Sequence, residues 1–151
     1  MSVMKKILLI AGIGLILPWW CHAQILNPVK WHFYSQKIGA GQYIVHMKAT
    51  IDQGWHVYAQ KAGNGPVPTS FTFHPDSRLQ LYGQVREIGK LEQAYDSNFR
   101  SNLKFYENQV DFVQYVRAKA GIGAIKGSLE FMVCNNHECL PPRDVPFEVK
   151  L

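Results

Sequence analysis

Leu129-Glu130-Phe131-Met132-Val133-Cys134-Asn135-Asn136-His137-Glu138-Cys139-Leu140-Pro141-Pro142 is the stretch around which the chain is organised. An alternating run ends in a first cysteine. Four polar residues of turn character follow, then a second cysteine and a proline pair. Apolar and polar residues at a period of two mark a half-buried β-strand. If that strand turns back through Asn135 to Glu138, the two cysteines flank a hairpin loop. Opposed residues on antiparallel strands have Cα atoms about 4.5–5.5 Å apart, and a disulfide needs about 4.4–6.8 Å. A disulfide is geometrically easy here, on a strand-rich scaffold.

The same period runs through the chain upstream. Tyr43, Val45, Met47, Ala49 and Ile51 face one way, against Ile44, His46, Lys48 and Thr50. Asp52-Gln53-Gly54 signals a turn, and Trp55-His56-Val57-Tyr58 resumes an extended run. Lys61 to Pro68 carries glycines and prolines and reads as an irregular loop. Ser70 to His74 is a short strand. Leu79 to Ile88 is another, interrupted near Gly83. Lys90 to Asn102 is polar, with isolated aromatics at Tyr95 and Phe99, and reads as a loop with one helical turn. Gln109 to Ala118, Ile125 to Cys134 and Val145 to Leu151 return to alternation. Roughly seven to nine short strands at this spacing predict an antiparallel β-sandwich.

The first residues read as a targeting segment. Lys5 and Lys6 precede an apolar run from Ile7 to Leu17, too short to span a bilayer comfortably. Pro18 breaks it, and cleavage is expected after Ala23. Residues 1–23 are thus a signal peptide, and residues 24–151 one exported domain. Trp19 and Trp20 stand where a lipoprotein signal carries small residues, which argues against acylation at Cys21. Of three cysteines, the mature domain keeps two, Cys134 and Cys139, in a compartment where disulfides persist. The formal charge of +5 includes the two leader lysines. No Lys/Arg cluster stands out, so nucleic-acid binding has no support.

Three chemistries fit the pair. As a staple it closes only a six-residue ring, which the chain-entropy model values at about 2 kcal/mol. As a metal site, Cys134, His137 and Cys139 offer two sulfurs and a nitrogen to zinc or copper, with His56 or His74 as a fourth ligand. As a redox pair, the cysteines exchange with a partner's sulfurs through a thiolate. A protonated His137 favours that thiolate, and Glu138 opposes it. Both also fit a solvated turn. Pro141-Pro142 must end or shift the strand pairing beyond Cys139.

Residues Phe131 to Cys134 and Cys139-Leu140-Pro141-Pro142 resemble the active-site hairpin of the N-terminal periplasmic domain of the thiol:disulfide interchange protein DsbD. Asp52 to Tyr58 is similar to that family's Gly-aromatic-x-x-Tyr strand, and Tyr95-Asp96-Ser97-Asn98-Phe99 to its cap loop. The resemblance spans about residues 30–151. It implies an immunoglobulin-like sandwich with the cysteine hairpin at one end, and no cofactor. It implies that Cys139 forms mixed disulfides and Cys134 resolves them. Phe99 then caps the pair, Asp96 is the nearby acid, and His56 and Tyr58 lie beside the cysteines. Implied partners are thioredoxin-like proteins, a membrane-embedded electron donor on a separate chain, and oxidised periplasmic proteins. The loop between the cysteines is one residue shorter than in the best-known members. Ser97-Asn98 stands where an acidic residue is commoner. The rival expectations are an exported immunoglobulin-like binding module with an inert disulfide, or a Cys/His metal-binding module.

Overall fold

The computed structural model describes residues 25–151. The signal-peptide reading, with cleavage after Ala23 and the Cys21 alternative, lies outside the described residues. Eleven strands follow one another: β1 (Val29–Gly39), β2 (Gln42–Ile51), β3 (His56–Tyr58), β4 (Ser70–Phe73), β5 (Leu79–Gly89), β6 (Glu92–Asp96), β7 (Ser101–Glu107), β8 (Gln109–Ala118), β9 (Ala124–Phe131), β10 (Val133–Cys134) and β11 (Arg143–Lys150). All pairings are antiparallel, and no helix occurs among the described residues. The sheets run β1-β2-β8-β5, β10-β3-β7-β6 and β11-β9-β4.

The first sheet is one layer. The other two make the second, since β9 runs almost directly into β10 and both sheets feed one core. Val45, Met47, Ala49 and Phe112 of the first layer meet Val57, Tyr106 and Val133 of one sheet and Leu129, Phe131 and Phe147 of the other. Trp31 lies between the layers, 5.9 Å from Phe112 and 5.3 Å from Phe131 by ring centroids. Alternation is the physical cause: in β2, every second residue from Val45 to Ile51 is buried, and only those. The architecture is an immunoglobulin-like antiparallel β-sandwich with the Cys134–Cys139 disulfide on a hairpin at one end.

The structure departs from the sequence expectation in three places. The strand β1 precedes the first one expected; Val29, Trp31 and Phe33 alternate with Lys30, His32 and Tyr34, but aromatics on both faces blur the period. Residues 90–102 hold no helical turn. They form most of a β6–β7 hairpin, with Asp96 opposite Ser101. Its polar composition reflects an outermost strand with one face in water, where few apolar residues are needed. The strand expected over Ile125–Cys134 is split at Met132 into β9 and β10. The expected break near Gly83 is present: the β5–β8 register shifts between Tyr82 and Arg86, and Gly83 has φ +66°.

Candidate functional site: a capped disulfide hairpin

The hairpin is built as the tip of the β9–β11 pair. β11 returns along β9 with Arg143 opposite Phe131. Beyond that, Leu140 N–H donates to Val133 O at 3.0 Å, and Cys139 faces Cys134. The register has slipped by one residue across Pro141-Pro142, because neither proline has an N–H to keep the ladder regular. Asn135 N–H donates to Glu138 O at 2.9 Å, and Asn135 Oδ1 accepts the amides of His137 and Glu138. The asparagine side chain thus folds the turn. Cys134 and Cys139 are joined by a disulfide, with Cα atoms 4.1 Å apart. Cys134 is fully buried and Cys139 half-buried.

The sheet below has apolar material on both faces. Cys134 pairs with His56 and Val133 with Val57. Val57 and Val133 belong to the main core. Cys134 and His56 point the other way, as does Tyr58 two residues on. Register then brings Phe105 and Leu103 of β7 and Asp96 of β6 to that same face. All three residues of β3 are therefore buried, which alternation along one strand does not anticipate. Tyr58, Ala62, Leu103 and Cys134 form a second apolar cluster, with Phe99, Phe105, Met132 and Cys139 packed against it.

The turn Ser97–Arg100 carries Phe99 over this cluster. Asp96 Oδ1 accepts the amides of Asn98 at 2.8 Å and Phe99 at 3.4 Å, so the carboxylate shapes the turn. Arg100 closes it with φ +52°. The Phe99 ring meets Tyr58 edge-on at 5.9 Å. It also lies on Gly65 (φ +127°), where a Cβ would come within 2.7 Å of Phe99 Cδ1. Asn98 Nδ2 donates to Asn135 O at 2.9 Å and ties the turn to the cysteine hairpin.

Beneath the turn is a buried polar group. Tyr58 Oη donates to Asp96 Oδ2 at 2.5 Å. His56 Nε2 lies 3.2 Å from Tyr58 Oη and 3.5 Å from Asp96 Oδ2. Burial, and then the hydrogen bond and charge of Asp96, push the Tyr58 hydroxyl far above its ordinary value. Burial alone would raise the Asp96 carboxyl. The hydrogen bonds from Tyr58, Asn98 and Phe99, with His56 nearby, outweigh it and hold the carboxyl below its ordinary value. Burial pushes His56 below its ordinary value, partly offset by Asp96 and Glu107.

The structure thus gathers Cys134, Cys139, Phe99, Asp96, His56 and Tyr58 at one place. His137 sits exposed at the hairpin tip, held through its backbone amide. His74 pairs with Lys126 near the start of β9, the end remote from the hairpin, so it cannot complete a ligand set with the cysteines. Both sulfurs are spent on each other. Among the described residues no group of three or more His, Cys, Asp or Glu is arranged to hold a metal ion. Sequence reading missed Asn98, Asn135 and Leu103. Gly65 stands in the sequence only as part of the irregular loop from Lys61 to Pro68. The glycine was a usable signal, but only contact shows which ring needs the space.

Among the described residues the β-sandwich carries one disulfide, on an end hairpin under the Phe99 turn, an arrangement that suits a thiol–disulfide exchange domain. The chain belongs to the family described as thiol:disulfide interchange protein DsbD, N-terminal, whose model matches residues 23–150. Thiol–disulfide interchange is accordingly its general activity. No curated protein matches the chain. Among solved structures, the Neisseria meningitidis DsbD N-terminal domain in its reduced form is similar at TM-score 0.51. It is 23% identical, with 70% of this chain and 75% of that chain covered. The complex between the DsbD N-terminal and PilB N-terminal domains of Neisseria meningitidis contains a chain similar at TM-score 0.54 and 21% identity, covering 83% and 87%. The N-terminal periplasmic domain of ScsB from Proteus mirabilis is similar at TM-score 0.56 and 14% identity. There the match covers 81% of this chain and 45% of that one. At these identities the likenesses speak for the fold.

Proposed function

We propose that this domain passes reducing equivalents in the periplasm by dithiol–disulfide exchange, with Cys139 as the exchanging sulfur and Cys134 as its resolving partner. The carrying observation is the unequal burial of the two cysteines: Cys134 is sealed in the cap cluster, and Cys139 stands half-buried at the hairpin edge. A partner thiolate must approach in line, and Cys139 is the sulfur it reaches. Electrons come from a thioredoxin-like domain, itself supplied by a membrane-embedded donor, and go to oxidised exported proteins. Family membership, the leader pattern and the open edge at Pro141-Pro142 support this direction and location. Phe99 shields the pair from small oxidants until a partner displaces it, and Asp96 and Tyr58 set the polar environment beneath. The electrons are carried by the reduced cysteine pair and are given up as the S–S bond forms.

The test is trapping from periplasm. Cys134→Ser accumulates mixed disulfides through Cys139, and Cys139→Ser forms none. A redox titration separates this from an inert bond, which would titrate below about −300 mV. Equal behaviour of the two variants toward a thioredoxin-like protein removes the reading.

A further inference from the structure

Hydrogen-bond accounting around Tyr58 assigns a state to His56. Tyr58 has one hydroxyl hydrogen, and Asp96 Oδ2 receives it. The 3.2 Å contact between His56 Nε2 and Tyr58 Oη must then be donated by the imidazole. In the neutral ring Nδ1 is left as a bare acceptor. Among the described residues no hydrogen bond engages it.

Two observations put the His56 residue beside the chemistry. His56 faces Cys134 across the β3–β10 pair, on the same side of the sheet. It is 7% exposed, yet it lines a cleft of about 240 Å³ between the cap turn and the cysteine hairpin. Asp96, Asn98, Glu107 and Asn135 line the same cleft. The cleft connects a buried imidazole to water.

The other ionisable groups on that face are poorly suited to take a proton. Tyr58 on β3 is committed to Asp96 and holds its hydrogen tightly. Asp96 on β6 already accepts three hydrogen bonds. Glu107 on β7 pairs with His56 but is itself exposed. Tyr95 of the cap and His137 and Glu138 of the turn are exposed. Cys134, the group needing deprotonation, is fully buried.

We propose that His56 is the proton acceptor for the Cys134 thiol in the resolving step. This rests on the division of labour between Cys139 and Cys134 proposed above. Cys139 Sγ is first bonded to a partner sulfur. The Cys134 thiol gives its proton to the neutral imidazole, and its thiolate attacks Cys139 Sγ. The Cys134–Cys139 bond forms, the mixed disulfide breaks, and the partner sulfur leaves with the electron pair as a thiolate. The imidazolium, 3.5 Å from Asp96 Oδ2, is held by that carboxylate and releases its proton through the cleft.

Reduced protein treated with a nitrobenzoate aromatic disulfide provides the test. The first thionitrobenzoate released reports modification of Cys139, and the second reports Cys134 attacking it. Wild type is expected to lose rate as pH falls through the His56 value, below the ordinary 6.5, because only the neutral ring accepts a proton. His56→Phe keeps a ring against Phe105 (4.5 Å) but has no lone pair. Its second release should slow about 10²-fold near neutral pH, and its profile should follow thiol ionisation alone. His137→Gln should keep the wild-type rate and profile. If His56→Phe does not fold, His56→Gln carries the same readout. A His56 variant with wild-type rate and profile overturns the assignment, and so does loss of the inflection in His137→Gln instead. Absence of any second release in wild type is a separate result. It overturns the exchange reading, and this inference with it.

Discussion

Gly65→Ala tests whether the Phe99 cap governs access to the disulfide. Gly65 has φ +127°, a region that residues with a Cβ enter at a cost of about 1–3 kcal/mol. The added methyl would also lie 2.7 Å from Phe99 Cδ1 and 3.0 Å from its Cβ. One side must move. The Phe99 turn is mostly exposed and is held by a few hydrogen bonds, whereas Pro66 beside Gly65 is buried. The strain should therefore be relieved by lifting Phe99. If the clash, worth about 1–3 kcal/mol for an overpacked contact, falls wholly on cap opening, the open population rises roughly 5–150-fold. The assay is the rate at which a small dithiol reduces the oxidised protein, with urea unfolding measured in parallel. Phe99→Ala sets the ceiling. If Gly65→Ala loses stability but is reduced at the wild-type rate, Phe99 is not what shields the sulfurs.

Acid titration offers a second check. The Asp96 carboxyl is held below its ordinary 3.8, so its ionised form stabilises the fold above that value. The contribution is lost as pH falls from 3.8 toward the folded value. The gap in urea midpoint between wild type and Asp96→Asn should thus be full near neutrality and shrink on acidification; a constant gap removes the assignment. Reducing the Cys134–Cys139 bond should cost only about 2 kcal/mol, since it closes a six-residue ring and both main layers pack without it. Circular dichroism of the reduced domain should show a folded sheet; unfolding on reduction would mean that the bond is chiefly a staple.

Alternation carried most of the fold into the sequence. β2, β9 and β11 each bury one face and leave the other partly or fully exposed, so a period of two survives in their residues. The outermost strand β6 needs few apolar residues, so its sequence carries no strand period and resembles a loop. Turn chemistry was legible where a residue type dictates it, as at Gly83 and Pro141-Pro142.

At the site, the sequence alone determined that two thiols stand a turn apart on a strand-rich chain. Family-like order of blocks added Phe99, Asp96, His56 and Tyr58. Tertiary structure decided what these residues do to one another. Cys134, the His56–Tyr58 strand and the hairpin holding Asp96 and Leu103 are far apart along the chain and share a face only through the registers of β10, β3, β7 and β6. Burial of three consecutive residues in β3 has no periodic signature, because it arises from a core on one side and a cap on the other. The hydrogen-bond order from His56 through Tyr58 to Asp96, like the fit of Phe99 on Gly65, depends on distances between segments that local pattern does not encode.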